Sequence, residues 1–359
     1  MKNKLTIIFA IPLLLSFLPA RAQLGQEELE GLERHRKPHK TVSILQSIDE
    51  PADTSSATAS LIGTWEFLDE QDRAEDAKSA ADEKAFQAAV DLETLKGRLD
   101  ALPEELMIPY RRELEQQLVS YVVRHTGALR GILGKYFYYE PYIKAAFSRH
   151  ALPEGLTALA IVESAMNPLA VSRVGAKGMW QFMKDAAKQY GLICDRYVDE
   201  RLDPLRSADA AARYLRDSYS RYGSWALAVS SYNCGPAAVD AAIRKAGSAE
   251  FWDVYPFLPA ETKEYMPAFV AALYTLEYYK LHGIEPRPYS EGALSSFQVT
   301  RKMTYADIIR ATGIDPRTLI ALNPQYTRGI IPGNRKKYIL RIPKKYAKLF
   351  KDNIDVVTD

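Results

Sequence analysis

The sequence predicts a mainly α protein that ends in a small βααβ unit, and three observations predict it. Between about 111 and 282, apolar residues recur at helical spacing, and no strand alternation competes. Gly127, Gly191, Gly223, Gly247 and Gly283 fall where helix C-terminal stops are expected. Past a Pro- and Gly-bearing stretch at 286–292 the pattern changes. It reads there as strand (296–300), helix (304–313), helix (316–322) and strand (338–342).

Taken in order, the chain of 359 residues is long enough for two or three compact units at roughly 100–200 residues each. A hydrophobic content of 47% supports a real core. Residues 1–22 read as a signal peptide. Lys2 and Lys4 precede an apolar run from Leu5 to Leu18, and Ala20-Arg21-Ala22 offers a small-x-small cleavage site. The run is short of the roughly 20 residues of a membrane span. An uncleaved anchor is the alternative reading. No Cys lies near the cleavage site, so a lipid anchor through an N-terminal Cys is not expected. The chain is thus expected to be exported and periplasmic.

Residues 23–60 are polar and read as a disordered linker. His35 and His39 lie within it, and Pro38 between them argues against a helix that would pair them on a metal. Residues 61–110 read as an N-terminal helical segment, acidic and Ala-rich from 66 to 100. Residues 111–290 form the main unit, with helices expected at 111–125, 139–149, 153–166, 180–190, 207–222, 225–233, 236–246 and 262–282. The C-terminal unit spans 295–345, and a basic-to-acidic tail, 346–359, follows.

The net charge is +2, unevenly spread: residues 296–359 hold 13 Lys and Arg against 5 Asp and Glu. That surplus suits an anionic polymer or a peripheral position on a membrane, and equally a solvated face. No nucleotide-binding glycine motif occurs and no nucleic-acid partner is expected. The two cysteines, Cys194 and Cys234, do not specify a disulfide.

The candidate chemistry starts at Glu163. Leu156, Leu159, Ala160, Glu163 and Met166 share one helical stripe, so a carboxylate stands where the pattern asks for an apolar side chain. Burial disfavours its charged form and raises its pKa. Asn167-Pro168 should end the helix just beyond it, and the negative helix end would also resist ionisation. A carboxylic acid kept protonated near neutral pH is what glycoside cleavage needs as its general acid. A structural Glu paired to Arg or Lys is the alternative on this helix alone.

Three further segments follow. Asn167-Pro-Leu-Ala-Val-Ser172-Arg-Val-Gly175-Ala-Lys-Gly178-Met-Trp-Gln181-Phe-Met183 places two glycines three apart, which allows tight turns and close approach. Its Ser172 and Gln181 can bond a carboxyl group or sugar hydroxyls. In Trp225-Ala-Leu-Ala-Val-Ser-Ser-Tyr232-Asn233-Cys-Gly235 a phenol lies on a core-facing stripe, where its hydroxyl needs a partner. In Glu261-Thr262-Lys-Glu-Tyr265-Met-Pro267, Tyr265 can line a cleft or fill the core.

Together these segments resemble the catalytic domain of the soluble lytic murein transglycosylases, a lysozyme-like fold, nearest to the membrane-bound D type. The shared pattern is Glu-Ser, Asn-Pro, Ser-x-x-Gly-Ala-x-Gly, Trp-Gln-Phe-Met, Tyr-Asn-x-Gly and Glu-Thr-x-x-Tyr, and it extends over about 111–290, including Tyr138–Pro141 and Val198–Pro204. Met179 and Ser231 depart mildly from it. The resemblance implies that Glu163 is the sole catalytic acid/base. It implies that Ser172, Gln181 and Tyr232 orient that acid or bind the adjacent sugar, and that Met183, Asn233 and Tyr265 line the cleft. The C-terminal unit resembles a peptidoglycan-binding LysM module through Ile314–Pro324, Ile331-Pro-Gly333 and Leu340–Pro343, although Lys302-Met-Thr304 replaces the usual Gly-Asp-Thr.

A common glycosidase design uses two carboxylates. No second acid is read within the motifs, and Asp195, Asp199, Glu200 and Asp203 match no catalytic position. The resemblance implies that one carboxyl serves twice on peptidoglycan glycan strands, leaving a 1,6-anhydro end. No metal and no organic cofactor are expected, since His125, His150 and His282 form no ligand spacing. Two rivals stand: a lysozyme-type hydrolase of the same superfamily, and a non-catalytic peptidoglycan-binding scaffold. The oligomeric state is open.

Overall fold

The structure, a computed structural model, describes residues 92–103, 125–289, 292–333 and 338–358, with Leu106, Leu114, Gln117, Leu118, Tyr121 and Val122 between the first two spans. The expected signal, linker, most of the N-terminal segment and most of the 111–125 helix lie outside the described residues.

Helix α1 (Leu92–Asp100) is tied to the far end of the main unit. Arg98 Nη1 donates to the Tyr274 hydroxyl at 3.2 Å, and the Tyr278 hydroxyl donates to the Arg98 carbonyl at 3.0 Å. Helix α2 (Thr126–Arg149) begins well before the expected 139. Gly127 does not stop a helix; it sits in the first turn of this one, where a glycine costs less than in the interior. The buried stripe Leu129, Leu133, Tyr136, Tyr139, Ile143 and Phe147 runs on across Pro141, and packing on both sides outweighs the bond that proline cannot donate.

The expected 153–166 helix is two pieces, a 3-10 turn (Glu154–Ala158) and α3 (Leu159–Ser164). The expected 180–190 helix shortens to α4 (Lys184–Gln189), because the residues before it belong to a loop. Helix α5 (Pro204–Tyr222) starts with Pro204 in its first turn. The Asp203 carboxylate caps it, accepting from Leu205 and Arg206 N–H at 3.0 and 3.2 Å. It ends at Gly223, which takes the left-handed conformation (φ 64°). Ser224 then caps α6 (Trp225–Cys234), and Gly235 and Pro236 turn the chain into α7 (Pro236–Ala246). After the short α8 (Phe251–Val254) comes α9 (Ala260–Tyr278). From Tyr265 to Thr275 every α9 residue is buried, so this helix is the axis on which α3 and α6 pack.

The C-terminal unit pairs β1 (Leu294–Val299) antiparallel with β4 (Tyr338–Pro343), Leu294 facing Pro343 and Val299 facing Tyr338. Between them lie β2 (Met303–Thr304), α10 (Tyr305–Thr312), α11 (Pro316–Leu322) and β3 (Ile330–Ile331). Strand β2 pairs with β3, which adds a second two-stranded ladder to the expected βααβ order. Thr304 and Asp307 form a reciprocal capping box on α10. Buried Asn323 pins β4: its amide donates to the Leu319 and Arg341 carbonyls, and its Oδ1 accepts the Arg341 N–H at 2.8 Å. Residues set apart as a tail form α12 (Ala347–Thr358), which packs on α10 through Phe350 and Ile354. One turn apart, these two side chains give the helix an apolar face despite its charge.

Among the described residues, no helix is long and apolar enough to cross a membrane. Cys194 and Cys234 are free thiols.

Candidate active site

Glu163 lies next to the last residue of α3 and is only 6% exposed. The helix does not run on to Asn167-Pro168. It ends at Ser164, because Ala165 (φ 52°) and Met166 (φ 62°) both turn left-handed. Non-glycine residues enter that region at a cost of about 1 kcal/mol each. Backbone bonds hold the turn: Ala165 N–H reaches the Ile161 carbonyl at 2.8 Å, and Met166 N–H the Ala160 carbonyl at 3.2 Å. The Ser164 hydroxyl donates to the Met179 carbonyl at 2.8 Å and accepts from Asn167 N–H at 3.1 Å. The helix end that carries the acid is thereby stitched to the loop that follows.

That loop, residues 165–183, folds back on itself. Val171 bridges Lys177, and Lys177 bridges Phe182. Gly175 (φ 89°) and Gly178 (φ 82°) make the tight turns anticipated for them. Gln181 is left-handed as well (φ 45°), the third such non-glycine residue after the acid.

Burial is the main force on the Glu163 carboxyl and pushes its pKa up from 4.5 to about 8. The Tyr265 hydroxyl donates to Oε1 at 2.6 Å and works the other way, by favouring the charged form. The negative charge of Glu261 adds to the rise. Among these influences desolvation leads. At a pKa of about 8, roughly nine in ten molecules carry the proton at pH 7.

The other expected site residues divide into two groups. Tyr265 and Tyr232 face the acid. Burial and the Glu163 charge hold both phenols well above their ordinary range, and the Tyr232 hydroxyl donates to the Trp180 carbonyl at 2.8 Å. Ser172 and Gln181 instead brace the loop. Ser172 Oγ accepts the Ala176 N–H at 2.9 Å, and the Gln181 amide donates to the Gly178 carbonyl at 2.8 Å. Met183 is partly buried and precedes α4 as its N-cap residue. Asn233 Oδ1 accepts the Thr262 hydroxyl at 2.6 Å, which joins α6 to α9. Among the described residues of this expected set, Gln181 Oε1 and Asn233 Nδ2 are buried without a protein hydrogen-bond partner. Both are chemically suited to amide or hydroxyl groups of a sugar.

Sequence reasoning missed Glu261. It stands inside the third motif, where no second acid was read, and its charge reaches Glu163. The available signal was its position four residues before Tyr265, one helical turn away on the same face. Thr262 was missed as the partner of Asn233. Among the described residues, no cluster of three His, Cys, Asp or Glu is placed to hold a metal ion.

Both described units are similar to domains of known proteins. Residues 140–255 match the transglycosylase SLT domain, and residues 293–358 match the LysM-like domain of lytic transglycosylase MltD. Membrane-bound lytic murein transglycosylase D of Escherichia coli K12 is 28% identical over 253 residues, 69% of this chain and 55% of its own length. Membrane-bound lytic murein transglycosylase F of Alcanivorax borkumensis is 33% identical over 131 residues, 33% of this chain and 26% of its own. The chain spans about half the length of the curated D-type relative it matches. The solved lytic transglycosylase Slt of Pseudomonas aeruginosa aligns with 41% of this chain and 25% of its own at 22% identity, with a TM-score of 0.34, and adds nothing to the domain matches. The chain thus carries a transglycosylase SLT domain followed by a LysM-like domain of the MltD type, and over most of its length it is similar to a lytic murein transglycosylase.

Proposed function

We propose that the chain is an exported peptidoglycan lytic transglycosylase with Glu163 as its single acid/base. The observation that carries the reading is a buried carboxyl, mostly protonated at neutral pH, inside an SLT domain. Glu163 donates its proton to the oxygen of the β-1,4 bond between N-acetylmuramic acid and N-acetylglucosamine, and the C1–O bond breaks. The carboxylate left behind accepts the proton of the muramic C6 hydroxyl, and that oxygen bonds to C1. The leaving sugar departs with a free hydroxyl, the other product ends in a 1,6-anhydro ring, and no water is consumed. Intramolecular attack gains from high effective molarity. One carboxyl serves both steps because the first leaves it ionised.

Tyr265 suits this double duty. Its hydroxyl holds Oε1, which fixes the carboxyl and steadies the charge that appears after the first step. Ser172, Gln181, Met183, Tyr232 and Asn233 form the supporting set. The C-terminal module binds glycan strands, and its basic surplus suits an anionic polymer.

The test is mass spectrometry of sacculi digested with the mature chain and with Glu163→Gln. Muropeptides one water lighter than hydrolysis products, absent with the variant, are expected. Reducing ends would move the chain to the lysozyme-type hydrolases, with Glu261 as the first residue to test as second carboxylate. Binding without any soluble product would leave a scaffold.

A further inference from the structure

Residues 193–203 connect the candidate active site to the C-terminal module, and the connection runs through buried charge. On the inner side, Arg201 is 4% exposed and uses its whole guanidinium. Nη1 donates to the Gly175 carbonyl at 3.0 Å and to the Phe182 carbonyl at 3.2 Å, two points on the loop that carries Ser172 and Gln181. Nε and Nη2 each donate to the Asp199 carboxylate at 2.8 Å. The backbone seals the same contact. A Cβ added to Gly178 would lie 1.8 Å from the Arg201 carbonyl oxygen, so only glycine admits this approach.

On the outer side the same segment enters the module. Val198 is 1% exposed and packs in the module's own core with Tyr326, Leu340 and their neighbours. The Asp199 N–H donates to the Gln325 carbonyl at 2.8 Å, and the Thr327 N–H to the Tyr197 carbonyl at 3.2 Å. Arg341 of β4 pairs with Asp203 at 3.0 Å, and Asp203 is the residue that caps α5.

Burial alone would raise the Asp199 carboxyl; the Arg201 guanidinium, joined by Lys177 at 3.5 Å, outweighs it and holds the group below its usual range. Buried ion pairs of this kind contribute little net stability, because desolvation costs several kcal/mol per ion. What the geometry supplies is fixed position: one planar fork spans two points of one loop, and its counter-ion is bonded through the backbone to the module.

We propose that Arg201 is a positioning residue for the loop 171–182, and that the LysM-like module holds it in place through Asp199 and Asp203. The module then acts on bond cleavage from behind the site, besides any glycan it binds. The kinetic half of this inference rests on the transglycosylase reading; the structural half does not.

The experiment uses the mature full chain and two readouts, amide hydrogen exchange and turnover on solubilised glycan strands. In Arg201→Ala, exchange at the Ser172, Lys177 and Phe182 amides is expected to rise about tenfold or more. The kcat is expected to fall about tenfold with KM within about threefold, the signature of lost positioning. Arg201→Lys keeps the charge but not the fork, and is expected to fall between the two. Arg341→Gln leaves the Asp203 cap in place and lies on the module, yet is expected to raise exchange of the same three amides about threefold. Should Arg201→Ala not fold, Arg201→Lys and Arg341→Gln decide. Wild-type exchange of the loop in both, with unchanged kcat, overturns the inference. Loosened loop amides in variants of a wild type that turns over no glycan would sink the enzymatic reading and keep the positioning one.

Discussion

Burying a carboxyl that prefers its proton has a thermodynamic consequence. In the unfolded chain Glu163 releases its proton near pH 4.5, and in the folded protein only near pH 8. Between these values the folded state binds more protons than the unfolded one, so unfolding free energy falls as pH rises. The contribution is intact below about pH 4.5 and fully lost once pH passes about 8. The slope approaches about 1.4 kcal/mol per pH unit, which gives about 3 kcal/mol lost by pH 7 and about 5 by pH 9. Glu163→Gln has no proton to lose and keeps an oxygen to accept from Tyr265. Relative to wild type, it is expected to gain about that much stability across the same window. Urea unfolding of both proteins at about pH 5, 7 and 9, followed by tryptophan fluorescence, measures it. All four tryptophans, Trp65, Trp180, Trp225 and Trp252, lie outside the C-terminal module, so the signal reports the rest of the chain. Common titrations cancel in the difference. Midpoints that stay parallel from pH 5 to 9 would mean that Glu163 ionises as an ordinary carboxyl, and the general-acid argument would lose its basis.

Three further outcomes follow from particular contacts. Tyr265→Phe removes the donor that favours ionised Glu163, so the carboxyl's pKa should rise further. The alkaline limb of the pH–rate profile should move up while the maximal rate falls about tenfold or more. Gly178→Ala places a Cβ against the Arg201 carbonyl at a left-handed residue, and should cost roughly 3 kcal/mol or more in chemical unfolding together with nearly all activity. Asn323→Ala strips two bonds to β4 and one to Leu319, and should lower the module's unfolding free energy by roughly 2–3 kcal/mol, read from exchange of the Arg341 amide.

What was legible in the chain was whatever local pattern encodes. A Glu on an apolar stripe is visible because helical periodicity makes it an exception, and Gly191, Gly223, Gly247 and Gly283 read correctly because left-handed stops favour glycine. The end of α3 was less legible: Ala165 and Met166 carry no turn signature, and their conformation is imposed by the Ser164–Met179 contact. Gly127 misled for the converse reason, since the long packed stripe of α2 overrides a local breaker. Strands β2 and β3 have two residues each, too few for any alternation to register. The hold of Arg201 on the loop and of Gln325 on Asp199 depends on residues far apart in sequence, which no spacing rule connects. Ser172 and Gln181 were legible as polar residues in the segment that follows the acid, but their bonding to the loop backbone became visible only in three dimensions.

The central claim is that bond cleavage uses the substrate's own C6 hydroxyl, with Glu163 as the only acid and base. Digestion of sacculi by the mature chain in heavy-oxygen water tests it most directly. The account predicts muramic ends that carry no solvent oxygen at C1 and a product set that disappears with Glu163→Gln. One heavy oxygen per cleaved bond would contradict it and make the chain a hydrolase.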